Sequence, residues 1–259
     1  ELSWQASDLG DHRLRGEVVF PAAGFITAAL DGLQQEGRPR SLANLRLEQP
    51  LKLGGAPDQQ QAPHRLQLQL QPGALAFYSR SAGEGPGAWQ LHGSACLEGA
   101  AALGAGDTPL VLASPPPGAA PVDVKAFYGA LAQVGLGYGP RYRGLARLHT
   151  ADGQAWAELN RPPGGHDRGL LDSCFQAVAV LLEPASRQGQ VLLPVGLDAL
   201  WWGPPALPDR LFCQVKLQPS AEPAFVRADL LLHDGVAPVA WIRGFRLRRL
   251  PRQALEWLL

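Results

Sequence analysis

The chain has 259 residues, 46% hydrophobic and 18% charged, with 23 Lys+Arg balancing 23 Asp+Glu. This is the composition of a soluble globular protein with ample surface to bury, and the absence of net charge excludes the basic footprint that nucleic-acid binding needs. The longest apolar stretch, residues 169–182, is too short for a bilayer and carries Asp172 and Gln176, so no membrane association is expected.

Residues 2–9 read as a short edge strand around Trp4. The stretch DHRLRGEVVFPAAGFITAAL, 11–30, then places His12 at the end of an extended segment, followed by Gly16, the β-rich run Glu17-Val18-Val19-Phe20, and Pro21. Residues 22–34 set Phe25, Ile26, Ala29, Leu30 and Leu33 at helical spacing, and Gly37 and Pro39 end the helix. Alternation replaces that period from Leu42 onward, with strands expected at 66–70, 74–80 and 89–97 and a turn at 82–87. Residues 99–121 are Ala/Gly/Pro-rich and read as a linker. Beyond them the order repeats: an amphipathic helix at 123–134 capped by Asp123, then strands at 145–149 and 155–159. A Leu/Ala-rich helix follows at 169–182, and strands at 192–202, 210–217, 225–233 and 239–247. Two helix-plus-antiparallel-sheet units are therefore expected, 1–98 and 122–259, joined by the 99–121 linker.

Cys96, Cys174 and Cys213 lack metal-ligand spacing and read as reduced core residues of a cytoplasmic protein. A chain that starts at Glu1 and has no Met reads as a domain cut from a longer polypeptide. Three features carry chemistry. His12 stands beside the N-terminus of a buried helix, where free backbone N–H groups suit an anionic intermediate, although a lone histidine is more often a hydrogen-bonding residue than a catalyst. Asp172 sits in an apolar run with Gln176 four residues on, so both share one helical face. Burial would raise its pKa and suit a general acid, a helix N-terminus would lower it, and an N-capping Asp is the simpler reading. Gly135-Leu136-Gly137-Tyr138-Gly139-Pro140 is a turn signal with one aromatic hydroxyl, and by itself reads as the loop ending a helix.

The spacing His12-x3-Gly16-x4-Pro21, the Tyr138-Gly139-Pro140 loop, Asp172-x3-Gln176 and the Leu193-Pro194 pair occur together and in this order. The chain thereby resembles, from Asp11 to about Leu250, the dehydratase domain of modular polyketide synthases. The resemblance implies an α+β double hotdog, in which two antiparallel sheets each wrap a central helix. It implies a hydro-lyase that eliminates water from a β-hydroxyacyl thioester on an acyl carrier protein, with His12 as base and Asp172 as acid. Gln176 would orient Asp172, Tyr138 would hydrogen-bond near the departing hydroxyl, and backbone N–H groups at the start of the Ala22 helix would face the enolate oxygen. Gly16, Pro21, Gly139 and Pro140 belong to the same motifs as backbone devices. Neither a metal nor an organic cofactor is implied beyond the phosphopantetheine arm that brings the substrate. The expected partners are the acyl carrier protein, other synthase domains and a second copy of the chain, since the parent synthases are homodimers.

The sequence departs from the family pattern at several places. Ala22 replaces a frequent Gly, Leu136 stands where Tyr-x-Tyr-Gly-Pro has its first tyrosine, and Val195 and Leu197 replace the aromatics of the motif following Pro194. Pro194 and Leu197 are expected on the substrate tunnel, so an altered tunnel motivates a second reading, a dehydratase that also forms an oxygen heterocycle or shifts a double bond. A non-catalytic module of the synthase is the alternative from another class. A hotdog thioesterase is a third option, but nothing in the sequence looks like its hydrolytic carboxylate placed on the central helix.

Overall fold

In the computed structural model, residues 8–54, 64–81, 89–182, 190–251 and 253 are described. The expected edge strand over 2–9 and the 82–87 turn fall largely outside them; Asp8–Asp11 is a 3-10 turn. The first half comprises β1 (His12–Leu14), β2 (Glu17–Val19), α1 (Ala22–Gln35), β3 (Ser41–Leu47), β4 (Lys52–Gly54), β5 (His64–Leu70), β6 (Ala74–Ser81) and β7 (Gln90–Cys96). The second comprises β8 (Ala120–Pro121), α2 (Val124–Gln133), β9 (Leu136–Tyr138), β10 (Leu145–Ala151), β11 (Gln154–Asn160), α3 (Asp167–Ala179), β12 (Gln190–Trp202), β13 (Arg210–Gln218), β14 (Phe225–His233) and β15 (Pro238–Pro251).

The two halves do not keep separate sheets. Their strands merge into one antiparallel sheet of eleven, ordered β5-β6-β7-β3-β12-β15-β14-β13-β11-β10-β8, with the seam at β3–β12. A second sheet, β4-β2-β1-β9, crosses between the halves again, because β9 pairs with β1. α1 and α3 pack against each other inside the large sheet and share one core with it. That is the double hotdog arrangement, each half contributing one central helix.

Periodicity explains most of this. In β5, Leu66, Leu68 and Leu70 turn to the core while Arg65, Gln67 and Gln69 face solvent. α1 buries Phe25, Ile26, Ala29, Leu30 and Leu33, each large side chain contributing about 1.5–3 kcal/mol. Asp123 caps α2 through Oδ1, which accepts from the N–H groups of Lys125 at 2.9 Å and Ala126 at 3.0 Å. α3 is buried on all sides, so its polar members Asp172, Ser173 and Gln176 each need an internal partner.

Three expectations change. Residues 136–138, read as part of a turn, form strand β9: the Gly-rich segment has little propensity of its own, but β1 supplies its ladder partners, and Arg15 N–H donates to Gly135 O at 2.7 Å. The Ala/Gly/Pro-rich run at 99–121 does not hang free. It lies on the outer face of the large sheet, burying Leu110 beside Leu231 and Trp241, with the Trp241 indole N–H on Gly104 O at 2.9 Å. Cys96 is exposed at the end of β7 and is no core residue, whereas Cys174 and Cys213 are buried, and all three are free thiols.

Candidate active site

The first motif is a piece of backbone engineering. Arg15 and Gly16 both have positive φ, 53° and 89°, and Leu14 pairs directly with Glu17, so the two residues form the tight turn of a β1–β2 hairpin. The hairpin brings Val19 back beside His12, whose Nδ1 donates to Val19 O at 2.8 Å. A carbonyl oxygen can only accept, so that bond places the neutral ring's proton on Nδ1 and leaves the Nε2 lone pair free. Pro21 has an extended backbone (φ −71°, ψ 152°) and starts α1, its carbonyl accepting from Gly24 and Phe25. The N–H groups of Ala22 and Ala23 then have no helical acceptor.

The second motif is paired to the first. His12 lies opposite Tyr138 in the β1–β9 register, and their rings meet edge to face with centroids 5.6 Å apart. Gly139 follows because any Cβ there would strike the Asp11 carboxyl at 2.4 Å. Its N–H donates to Asp11 O at 2.6 Å, and the Asp11 side chain accepts from Arg141 N–H across the turn that Pro140 opens. That turn delivers Tyr142, fully buried, against the His12 ring as well, centroids 5.3 Å apart.

The third motif comes from α3. Asp172 is the sixth residue of the helix, so the N-capping reading of it fails. Gln176 donates from Nε2 to Asp172 Oδ2 at 2.8 Å and to Tyr142 O at 3.0 Å, while its Oε1 accepts from Tyr128 Oη at 3.0 Å. This fixes which way the amide points. Asp172 Oδ1 is left facing His12 Nε2 across 3.9 Å, with side chains 7% and 15% exposed. Burial pushes the Asp172 carboxyl up from the ordinary carboxylate range, against the smaller opposing effects of His12 and the Gln176 bond. Burial likewise holds the Tyr138 hydroxyl protonated far above its usual range.

His12, Tyr138, Asp172 and Gln176 are set in the wall of one cavity of about 180 Å³ that is otherwise mostly apolar, with Phe20, Phe25 and Phe175 among its walls. Ala22 also lines it, as do Pro194 and Val195. Gly16, Pro21, Gly139 and Pro140 lie outside the lining and act through the backbone. Leu197 is not on the wall either. A bulge between Pro194 and Gly196 adds a residue to β12, turns Val195 toward the cavity and sends Leu197, fully buried, into the core opposite Leu45. Exposed Glu48, Gln49 and Arg248 stand at the rim. Sequence reasoning missed Tyr128, Tyr142 and Arg248. Tyr128 had a usable signal, being a tyrosine on the apolar stripe of α2, where a buried hydroxyl must find a partner. Among the described residues, no cluster of His, Cys, Asp and Glu is arranged to hold a metal ion, and no helix is long and apolar enough to cross a membrane.

Comparison with known proteins agrees with the motifs. Residues 107–256 match the family described as polyketide synthase dehydratase N-terminal domain, and residues 2–80 match polyketide synthase dehydratase domain. The chain is 36% identical over 266 residues to polyketide synthase GfsE of Streptomyces halstedii, covering 95% of this chain and 7% of that protein. It is 33% identical over 202 residues to mycoketide-CoA synthase of Mycobacterium tuberculosis, covering 72% of this chain and 5% of that one. It thus spans a small fraction of the length of these relatives. Among solved structures, the dehydratase domain of RzxB from Pseudomonas fluorescens superposes with TM-score 0.74 at 26% identity, covering 96% of this chain and 92% of that one. The dehydratase domain from the CurJ module of curacin polyketide synthase gives TM-score 0.77 at 19% identity, over 95% and 88%. By its fold, its ordered motifs and these matches, the chain belongs to the polyketide synthase dehydratase family.

Proposed function

We propose that this domain removes water from a β-hydroxyacyl thioester carried by an acyl carrier protein, giving the α,β-enoyl thioester during polyketide assembly. The observation that carries the reading is His12 Nε2 facing the buried Asp172 Oδ1 at 3.9 Å within an apolar cavity, with His12 Nδ1 engaged on Val19 O and burial raising the pKa of the Asp172 carboxyl. His12 takes the α-proton. Asp172 gives its proton to the departing β-hydroxyl from Oδ1, the oxygen that Gln176 leaves free. A base and an acid 3.9 Å apart suit a syn elimination, both acting from one face of the acyl chain. Proton transfer leaves an imidazolium beside a carboxylate, a pair that attracts strongly in a cavity of low polarity. The free N–H of Ala22 at the start of α1 supports the thioester oxygen as negative charge develops there. Tyr138, still protonated, offers its hydroxyl beside the reacting carbons.

Arg248 is an exposed cation at the cavity rim and suits the phosphate of a phosphopantetheine arm. The reading requires no cofactor besides that arm, and it makes the carrier protein, neighbouring synthase domains and a second copy the partners. CurK dehydratase variants described as inactive carry a histidine-to-phenylalanine or an aspartate-to-asparagine replacement, the same two residue types that meet here. With Leu197 in the core, one of the substitutions that favoured an added cyclisation no longer bears on the tunnel. Incubation with a β-hydroxyacyl pantetheine thioester tests the proposal. His12→Ala and Asp172→Asn each lower turnover by roughly 10²- to 10⁴-fold while the protein stays folded; near-normal turnover by either variant overturns it.

A further inference from the structure

His12 and Asp172 do not hold each other: 3.9 Å is beyond hydrogen-bond distance. One comes from the first half of the chain and the other from the second, so something else fixes the gap between them. Four residues before each lies a member of another pair, Asp8 before His12 and Arg168 before Asp172. Asp8 begins the 3-10 turn that runs into β1, and Arg168 is in the first turn of α3. Arg168 grips Asp8 with its fork, Nε donating to Oδ2 at 2.9 Å and Nη2 donating to Oδ1. The Asp8 side chain is 1% exposed and that of Arg168 is 24% exposed, so solvent does not loosen this contact as it would a surface pair. Exposed His166 lies nearby, its Nε2 at 3.9 Å from Asp8 Oδ1. Tyr142 packs its ring on His12, and its hydroxyl lies close enough to Asp8, Arg168 and Asp172 to feel their charges.

The other restraints act indirectly. The β1–β9 ladder fixes His12 to Tyr138, and Gln176 and Ser173 fix α3 to the carbonyl of Tyr142. Among the hydrogen bonds of the described residues, only the fork ties the turn that leads directly into His12 to the helix bearing Asp172, one helical turn from the acid. A planar, bidentate guanidinium–carboxylate contact resists both sliding and rotation, which a point contact does not. We propose that Asp8 and Arg168 are positioning residues, a clamp that sets the distance between the base and the acid. This inference rests on the reading of His12 and Asp172 given above.

The test compares Asp8→Asn, Arg168→Gln and the double variant on a β-hydroxyacyl pantetheine thioester, each well below its own unfolding midpoint. Both single variants should lower kcat by roughly 10- to 100-fold, the cost of a misplacement of about 1 Å, with KM held within about twofold because the cavity wall is untouched. Since each removes the same contact, the double variant should lose no more than either single one. Arg168→Lys, which keeps the charge and loses the fork, should remain impaired. Unchanged kcat in the folded single variants, losses that multiply in the double variant, or a rise in KM alone would each overturn the clamp. His12→Ala, run alongside, separates the two claims. If it is inactive while Asp8→Asn is normal, only the clamp fails; if it stays active, the acid–base reading itself is gone.

Discussion

Gln176→Leu isolates the hydrogen bonds around the acid at little cost in volume. Gln176 is 4% exposed and serves three groups: Asp172 Oδ2, Tyr142 O and the hydroxyl of Tyr128. Tyr142 O keeps a contact from Ser173 Oγ at 3.4 Å, so it is not orphaned. Asp172 loses its donor and Tyr128 loses the acceptor for its proton. Tyr128 Oη keeps only the 3.5 Å contact from Leu145 N–H, and two buried groups each deprived of a partner cost about 1–3 kcal/mol each, about 2–6 kcal/mol together. For a chain of this size the midpoint drops about 2–4 °C per kcal/mol, so thermal unfolding should move down by at least about 4 °C. Turnover should fall by roughly 10- to 100-fold, the usual effect of losing a group that orients a catalytic one, with activity still above that of Asp172→Asn. The pH profile gives the decisive readout. The Gln176 bond favours the carboxylate and lowers the Asp172 pKa. Removing it raises that pKa, and the alkaline limb of kcat, where the acid loses its proton, should move to higher pH. A limb that stays in place, or moves down, refutes the role given to Gln176 even if activity drops.

Two further perturbations bear on the same site. Asp172→Asn should raise the unfolding midpoint at mildly alkaline pH, because burial lifts the folded-state pKa of Asp172 above its unfolded value and its ionisation therefore costs stability. That gain should fade as pH falls through the ordinary carboxylate range near about pH 4, below which the group is neutral folded and unfolded; an equal midpoint shift at every pH contradicts the assignment. Tyr138→Phe keeps the ring on His12 and removes the hydroxyl. It should reduce kcat/KM by about tenfold, one hydrogen bond of about 1.4 kcal/mol, without moving the alkaline limb, since the Tyr138 proton is retained far above that range.

How much of this was legible in the sequence depended on whether the signal was local. α1, α2, β5 and the long strands from β12 to β15 follow from periodicity, because each buries a face its own residues define. The pairing of Asp172 with Gln176 was also local, a matter of spacing on one helix. β9 was not, since Gly137 and Gly139 suit a turn and become strand and strand-end only where β1 and Asp11 receive them. Leu197 was misplaced because a bulge shifts the inward–outward alternation by one residue, and no residue type in Pro194-Val195-Gly196 announces that shift except the glycine, whose Cβ would strike Leu45 O at 2.2 Å. The outer-face packing of 99–121 was hidden for a similar reason. Its Pro- and Gly-rich composition describes the backbone, while its few apolar residues, Leu103, Leu110 and Leu112, find their partners on distant strands.

The site is assembled from both halves at every level, which explains why its motifs are scattered over most of the chain. The hairpin turn at Gly16 fixes the ring of His12 through Val19, but the wall behind that ring is Tyr142 and the strand beside it is β9, both from the second half. Conversely, Asp172 sits on the second helix and is held by Gln176, whose own orientation depends on Tyr128 from α2. Asp172 is thus held within the second half while His12 is held from both, and the proposed proton transfers depend on the offset between them. The β3–β12 seam joins the sheets but lies on strands distinct from those carrying His12 and Asp172. A polypeptide that fused two hotdogs only through that seam would leave the proposed acid and base free to drift by the small distance that matters for proton transfer. The extra crossings, β1 with β9 and Asp8 with Arg168, occur beside His12 and Asp172, the proposed base and acid, where such a drift would be costly.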